Sequence, residues 1–335
     1  MMTANRFTSF RIHNDNAGYR SGISQMSVEQ LTPGDTVIQV HYSSVNYKDA
    51  LAATGKGKIL RQFPLNGGID CSGIVISSEN SSLKPGDPVL VTGSGLSETA
   101  DGGYSNYVRT DSMHCIPLPA NWSLRDAMVM GTAGFTAGLA LHRMLENHQK
   151  PALGPIAITG ATGGVGILGT ALFSLAGFRV HAISGKPEYR QTLEKLGAEC
   201  VLPRDAVLSD KAMDSVRFGG ALDGVGGHML SGLLAQTAPC GNVASYGLVS
   251  SPSLQASVMP FIIRGVSLLG IASAGTERSV RERVWQLLAQ HFSSDIIKSI
   301  PVRDIAMNDL PEAFNQLLSG AAFGRYVVKI NDGSC

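Results

Sequence analysis

The chain has 335 residues, enough for two domains or one large one with a sizeable core. Hydrophobic residues make up 44% and charged residues 16%, so a globular rather than a disordered chain is expected, and the formal net charge of +1 argues against a nucleic-acid or membrane-surface protein. The 39 glycines follow no collagen-like period and point to tight turns and close backbone approaches to a ligand. The five cysteines, Cys71, Cys115, Cys200, Cys240 and Cys335, are scattered and never form a CxxC pair. That pattern predicts reduced thiols in a cytoplasmic protein and no structural zinc. The first residues, Met1 to Phe7, show no apolar signal core, and the longest apolar stretch, 156–177, is interrupted by five glycines between 160 and 169. Extracellular and membrane-spanning readings are therefore disfavoured.

The first 120 residues read as mostly β. Pro33-Gly34-Asp35 predicts a turn, and Thr36 to Tyr42 a strand. Lys84-Pro85-Gly86-Asp87 predicts a second turn leading into a strand at Pro88 to Val91, and Gly102-Gly103 precedes a strand candidate at Tyr104 to Val108. Short strands with Gly/Pro turns suggest a barrel-like β domain. Near residue 124 the pattern changes, and apolar positions follow helical spacing from Leu124 to Leu145. Strand candidates then begin near Ile156, Arg179, Cys200, Ala221, Asn242 and Ser267, spaced about one βα unit apart. Six such units predict a parallel sheet covered by helices on both faces. A helix is predicted over Val280 to His291. The last strand, Gly324 to Ile330, has no place in the six-unit sheet and is expected to return to the first domain.

The sharpest motif runs from Ile156 to Gly166, Ile-Ala-Ile-Thr-Gly-Ala-Thr-Gly-Gly-Val-Gly. A strand feeds a glycine-rich turn, and a helix opens at the glycines. Glycine lets the backbone approach a pyrophosphate, and the helix N-terminus offers it free N–H groups. Ala161 takes the first glycine position of the usual GxGxxG pattern. The bland alternative is a plain tight turn, but the place of this turn at the head of a βα series favours dinucleotide binding. The end of the second strand reads Ser184-Gly185-Lys186-Pro187, without the acid that an NAD site usually places there. Ser184 and Lys186 suit a 2′-phosphate, with Arg190 and Arg204 as further charges, so NADPH is the expected cofactor; solvated surface charges are the alternative.

These residues carry a resemblance along nearly the whole chain. Ser43 to Leu51, Thr54 to Ile59, Gly68 to Gly73, Gly131 to Ala137, Thr159 to Gly166, Val201 to Asp205 and Val258 to Arg264 resemble the zinc-free branch of the medium-chain dehydrogenase/reductase superfamily. Within it the chain is most similar to the bacterial NADPH-dependent acrylyl-CoA reductases, which are related to quinone oxidoreductases. The resemblance implies an α/β protein with a GroES-like β-rich catalytic domain and a six-stranded parallel Rossmann domain. It implies residues 1–124 as the first part of the catalytic domain, 125–273 as the NADPH-binding domain and 274–335 as the catalytic remainder. An active site in the cleft between domains and a homodimer are also implied. Zinc-using relatives carry a Cys in the segment held here by Asn46 to Asp49, and His-Glu where this chain has Ile69-Asp70. With no HxH or HExxH spacing among the eight histidines, no metal is expected. Relatives usually have Pro where Gly67 stands.

The resemblance further implies roles by position. Tyr47 lies against the nicotinamide, with Asn46 and Asp49 shaping the catalytic site. Thr136 reaches the carboxamide, and Gly163, Gly164, Val165 and Gly166 cradle the pyrophosphate. Ser184, Gly185, Lys186 and Arg204 take the adenosine phosphate. Leu248, Ile262 and Ser273 line the nicotinamide side, and Arg325 reaches back from the last strand. Several residues keep two readings. Tyr47 is a stacking wall or a proton donor, and Asp49 is a site acceptor or the N-cap of a helix from Ala50 onward. Lys56, Lys58 and Arg61 are a basic mouth for CoA phosphates or a solvated loop. Cys71 and His181 are expected to be core residues.

The implied chemistry is conjugate reduction of a short α,β-unsaturated acyl-CoA, with donors aimed at the oxygen where negative charge develops. The α-carbon then needs a proton, from Tyr47 or from solvent. An NADPH:quinone or enone oxidoreductase is the alternative on the same scaffold. A non-catalytic NADPH-binding redox sensor is the alternative from another class. A small-molecule partner is expected, with neither nucleic acid nor membrane.

Overall fold

The computed structural model describes residues 6–331. The segment 1–5 and Cys335 lie outside the described residues. In chain order, β1 (Phe7–Asp15) and β2 (Gly18–Met26) form a hairpin, followed by β3 (Thr36–Ser44), helix α1 (Tyr47–Thr54), β4 (Leu65–Asn66), β5 (Asp70–Ser78), β6 (Pro88–Thr92), β7 (Tyr107–Thr110) and β8 (Ile116–Pro117). Helix α2 (Leu124–Glu146) precedes an alternating run: β9 (Ile156–Thr159), α3 (Gly164–Leu175), β10 (Val180–Ile183), α4 (Arg190–Lys195), β11 (Ala198–Leu202), β12 (Phe218–Asp223), α5 (Gly227–Gln236), β13 (Thr237–Ser245), α6 (Met259–Arg264) and β14 (Ser267–Gly270). The chain ends with α7 (Arg278–His291), α8 (Ser294–Ser299), β15 (Val302–Ala306), α9 (Leu310–Leu318) and β16 (Arg325–Lys329). Among the described residues, no helix is long and apolar enough to cross a membrane.

These elements form two compact units. One comprises residues 1–132, 274–282 and 293–335, and the other 133–273 and 283–292. In the first, a seven-stranded sheet runs β15-β16-β3-β5-β6-β8, with β7 paired on β3, and a small sheet runs β2-β1-β4. The strand at Tyr104 to Val108 expected from the sequence starts later, at Tyr107. Tyr104 is instead wholly buried, its amide bonded to Gly67 O and its hydroxyl donating to Ser44 O at 3.0 Å. The final strand does return to this unit: β16 pairs antiparallel with β3, Val328 opposite Ser43, and parallel with β15. Two apolar clusters fill the unit, one around Phe10, Leu65, Phe314 and Val328, the other around Ile38, Cys71, Val91 and Val108.

The second unit holds a six-stranded parallel sheet in the order β11-β10-β9-β12-β13-β14. Its first strand, β9, lies inside the sheet, and the chain runs outward on one side before crossing to the other. That reversal, between β9 and β12, is where doubly wound sheets bind ligands. Ile156, Ala157 and Ile158 are fully buried, as are Ala221 and Leu222 on the neighbouring strand, so the strands show continuous apolar burial rather than alternation. His181, expected in the core, is only half-buried on β10, its ring edge-on to Phe218 and 3.8 Å from Glu199. Burial of its ring draws its pKa below the ordinary value.

The helix expected over Leu124 to Leu145 is not continuous. Gly131 breaks α2 with φ 49° and ψ −155°, backbone that only glycine reaches without strain. Periodicity could not reveal the break, because apolar residues continue in helical register on both sides of it.

Candidate active site

The glycine-rich turn follows β9 at the sheet reversal. Thr159 Oγ1 donates to Asp223 Oδ1 at 2.6 Å, which ties the end of β9 to the end of β12 and fixes the base of the turn. Asp223 also accepts from Gly226 N at 2.9 Å. Helix α3 opens with Gly163 as N-cap and no side chain bonded to its first N–H groups. Those groups are the orphan donors that an anion satisfies. At Gly166 a Cβ would stand 2.2 Å from Gly160 O, so only glycine allows the helix to close onto the turn. Gly164 and Val165 occupy the first turn of the same helix.

At the end of β10, Ser184 Oγ accepts the Lys186 N–H at 3.1 Å, which fixes the turn. Arg204, directly after β11, brings its guanidinium over Gly185: a Cβ there would meet Nε at 2.6 Å. Burial pulls the Lys186 ammonium below its ordinary pKa; Arg204 adds to that effect and Glu188 opposes it. The structure thus brings Ser184, Gly185, Lys186 and Arg204 together. Arg190 goes elsewhere, donating to Val201 O at 2.9 Å and facing Glu194. Thr136 is buried in α2, Ser273 is half-buried, and Leu248 and Ile262 are 62% and 75% exposed. A bowl of about 720 Å³ on this unit is lined by Ser209, Lys211, His228 and Ser250 among others, but its polar groups face one another, Lys211 Nζ 2.9 Å from Asp214 and His228 Nε2 3.0 Å from Asp210.

In the other unit a buried polar cluster gathers around Asp70, the first residue of β5. Its Oδ2 accepts from Ser44 Oγ at 2.6 Å, Asn46 Nδ2 at 2.8 Å and Thr132 N at 2.9 Å, and its Oδ1 accepts from Thr132 Oγ1 at 2.5 Å. Asn46, and not Asp49, is the N-cap of α1; the helix begins three residues before Ala50, the start expected from the sequence. Asp49 sits one turn in, and its Oδ2 accepts the Asn46 N–H at 2.8 Å while its Oδ1 accepts the Ile69 N–H at 2.9 Å. Burial, reinforced by the Asp70 charge, raises the Asp49 pKa to about 7, against the pull of these N–H donors. Arg325, 2% exposed, donates to Val129 O at 2.9 Å and Val45 O at 3.3 Å and lies 3.4 Å from Asn46 Oδ1. Its Nη2 has no hydrogen-bond partner among the described residues. Burial pulls its pKa down, and Asp70 and Asp49 hold it up.

Tyr47 opens α1 and is 39% exposed. Lys56, Lys58 and Arg61 are exposed and form no ion pair among the described residues, and Lys56 borders a shallow cavity shared with Glu312 and Gln316. Cys71 is fully buried, and desolvation pushes its thiol far above the ordinary value, leaving it inert. Sequence reasoning missed Ser44, Asp70 and Thr132 as a cluster. The available signal was an acid at the head of a mostly buried strand.

Asn46, Asp49, Ile69 and Asp70 stand where zinc-using relatives are expected to carry their ligands. The two carboxylates are engaged by N–H and O–H donors, and among the described residues no three His, Cys, Asp or Glu side chains gather to hold a metal ion. This donor set does not fit a catalytic zinc.

Residues 32–120 match the family described as alcohol dehydrogenase GroES-like domain, and residues 164–290 the family described as zinc-binding dehydrogenase. The putative quinone oxidoreductase YhfP of Bacillus subtilis is 39% identical over 310 residues, 92% of this chain and 94% of that protein. The acrylyl-CoA reductase AcuI of Ruegeria pomeroyi is 37% identical over 314 residues, 93% and 95% of the two chains. Among solved structures, the yhdH oxidoreductase of Salmonella enterica in complex with NADP superposes with a TM-score of 0.93 at 36% identity, covering 97% of this chain and all of that one. The Bacillus subtilis yhfP structure has NAD bound, with a TM-score of 0.92 at 37% identity, and covers the same shares of the two chains.

Proposed function

The chain belongs to the medium-chain dehydrogenase/reductase superfamily, and from that membership we propose that it is a zinc-independent, NADPH-dependent reductase of a carbon–carbon double bond. The proposed substrate is a short α,β-unsaturated acyl-CoA, with acrylyl-CoA reduced to propanoyl-CoA. The observation that carries the cofactor choice is the cluster of Ser184, Lys186 and Arg204 at the end of β10, with no carboxylate in the Ser184-Gly185-Lys186 turn. A ribose carrying a 2′-phosphate suits two cations and a hydroxyl, whereas a bare ribose diol calls for a carboxylate. The turn from Gly163 to Gly166 suits a pyrophosphate: the Gly163 N–H is taken by Gly160 O at 2.8 Å, but the N-cap supplies no side-chain bond to the first N–H groups of α3.

When bound, NADPH supplies the hydride that adds to the β-carbon of the substrate. Asn46 and Asp49 hold the start of α1, and with it Tyr47, in one orientation. Tyr47, 39% exposed, is proposed to meet the ligand as a stacking wall or as the donor of the α-carbon proton. Thr136, Leu248, Ile262, Ser273 and Arg325 are proposed to complete the nicotinamide surroundings. Lys56, Lys58 and Arg61 are proposed to attract the CoA phosphates.

The 37% identity to an acrylyl-CoA reductase supports the acyl-CoA substrate. The 39% identity to a putative quinone oxidoreductase supports a second reading, NADPH:quinone reduction. Loss of NADPH absorbance with acrylyl-CoA and with benzoquinone in parallel separates the two. A kcat/KM above about 10⁴ M⁻¹s⁻¹ for acrylyl-CoA, with the quinone far weaker, supports the first, and the reverse order overturns it. A homodimer is proposed as the assembly, since β14 forms an edge of its sheet and Ile262 and Ile263 nearby are 75% and 59% exposed. Light scattering giving the mass of one chain would contradict it. The four described cysteines are free, which suits the cytoplasmic setting proposed here.

A further inference from the structure

The break in α2 has a chemical result. Because Gly131 turns the chain in a conformation closed to other residues, Thr132 presents both its N–H and its hydroxyl to the same carboxylate. Among the described residues, only Thr132 donates to both oxygens of Asp70, and two contacts on two oxygens set the plane of that carboxylate. Ser44 and Asn46 meet Oδ2 alone. The plane decides where Oδ2 lies, Oδ2 holds the Asn46 amide, and Asn46 caps the helix whose first residue is Tyr47. The approach is close throughout: a Cβ at residue 131 would stand 2.7 Å from Asp70 Oδ2 and from Ser44 Oγ, and 3.0 Å from Arg325 Nη2.

We propose that Thr132 is a positioning residue for the reduction, acting through the Asp70 carboxylate and Asn46 to hold Tyr47 in register. The proposal rests on the role given to Tyr47 and Asn46 above. Thr132 touches no reacting atom in it. The Thr132 hydroxyl is the sole donor to Asp70 Oδ1 among the described residues. Without that hydroxyl the buried oxygen lacks a partner, and the carboxylate is free to turn toward another donor. Small displacements of this kind slow a reaction while leaving cofactor affinity intact.

The test compares wild type with Thr132→Val, which keeps the shape and removes the hydroxyl, and with Thr132→Ser, which keeps the hydroxyl. Steady-state turnover of acrylyl-CoA, or of benzoquinone if that is the substrate found, is measured with NADPH and with NADPH deuterated at the transferred position. The valine variant is expected to lose about tenfold or more in kcat, with KM for NADPH within about twofold of wild type. Its isotope effect on kcat should rise, because hydride transfer becomes the slow step. The serine variant should restore both. A merely structural role would lower the melting temperature and the yield of active enzyme without moving the isotope effect. Unchanged kcat and isotope effect in Thr132→Val, or a serine variant as impaired as the valine one, overturns the proposal. Should the valine variant not fold, Thr132→Ala carries the same expectations and the same overturning results. Absence of turnover in wild type with either substrate overturns the functional reading and this proposal together. Wild-type turnover that the variants share overturns this proposal alone.

Discussion

Arg204 lies across Gly185, so close that a methyl group on the glycine would meet Nε at 2.6 Å. The guanidinium joins the Lys186 ammonium at the end of β10, and no carboxylate occupies the turn from Ser184 to Lys186. Two cations held together in this way are stabilised by an anion between them. Lys186→Ala and Arg204→Ala should each raise Kd for NADPH by about tenfold to a hundredfold, the worth of one charge-assisted contact, and change Kd for NADH less than about twofold. Fluorescence titration with both cofactors measures this. Equal losses for the two would show that the cluster does not read the 2′-phosphate.

The turn onto α3 makes a second expectation. A Cβ at Gly166 would overlap Gly160 O, so Gly166→Ala should push the helix off the turn. Overpacking of this kind destabilises by about 1–3 kcal/mol. NADPH should no longer raise the melting temperature of the variant, as it should for wild type. A variant that binds NADPH normally would contradict the pyrophosphate assignment.

Asp49 should leave a signature in the pH dependence of stability. Its folded pKa is about 7, above the ordinary 3.8. Below about pH 4 the group is protonated in both states and carries no penalty. Between about pH 4 and 7 the unfolded chain ionises while the folded one retains its proton, so stability falls as pH rises. Above about 7 both are ionised and the loss, at most about 4 kcal/mol, levels off. Denaturant unfolding of wild type and Asp49→Asn across this range should show the slope in wild type only. Parallel curves would mean that Asp49 keeps an ordinary pKa in the folded protein.

Lys56, Lys58 and Arg61 offer a test by substrate charge. Replacing all three with Ala should raise KM for acrylyl-CoA several-fold and weaken its dependence on salt, while benzoquinone turnover stays the same. These residues are exposed, so the fold should be unaffected. An unchanged KM for acrylyl-CoA would leave the cluster as ordinary surface.

Tyr47→Phe separates the two readings of Tyr47, because it keeps the ring face and removes the hydroxyl. A stacking wall predicts kcat near wild type at all pH values. A proton donor predicts a fall of about 10²-fold, the usual contribution of general acid catalysis.

Much of this architecture was legible in the chain itself. Strand starts at Ile156 and Ser267 lie where βα spacing puts them, and those at Ala198, Phe218 and Thr237 come a few residues earlier than expected. The shift arises because the first residues of these strands carry no clean alternation: β11 opens Ala198-Glu199-Cys200, β12 opens Phe218-Gly219-Gly220 and β13 opens Thr237-Ala238-Pro239. The cluster of Ser184, Lys186 and Arg204 was also readable, since local sequence places each residue at a strand end. Asp70 and Thr132 were not readable as partners. They are 62 residues apart, and their meeting depends on the dihedral angles of one glycine inside an apolar run. The start of α1 was misplaced for a related reason. Asn46 and Asp49 are both good capping residues, and which of them caps is decided by Ile69 N, a donor from a distant segment that claims Asp49 Oδ1.

The place of β16 bears on how the protein is made. The strand lies inside its sheet, between β15 and β3, and brings in Arg325 as the cation beside Asp49 and Asp70. A nascent chain emerging from the ribosome therefore has both acids long before it has Arg325. The sheet cannot close until translation has passed residue 329, whereas every strand of the β9–β14 sheet has already been synthesised by residue 270. Release of a chain truncated shortly before Arg325 would leave a gap between β15 and β3 and would deprive Asp49 and Asp70 of the Arg325 guanidinium, an intermediate for a chaperone or a protease rather than a shorter enzyme.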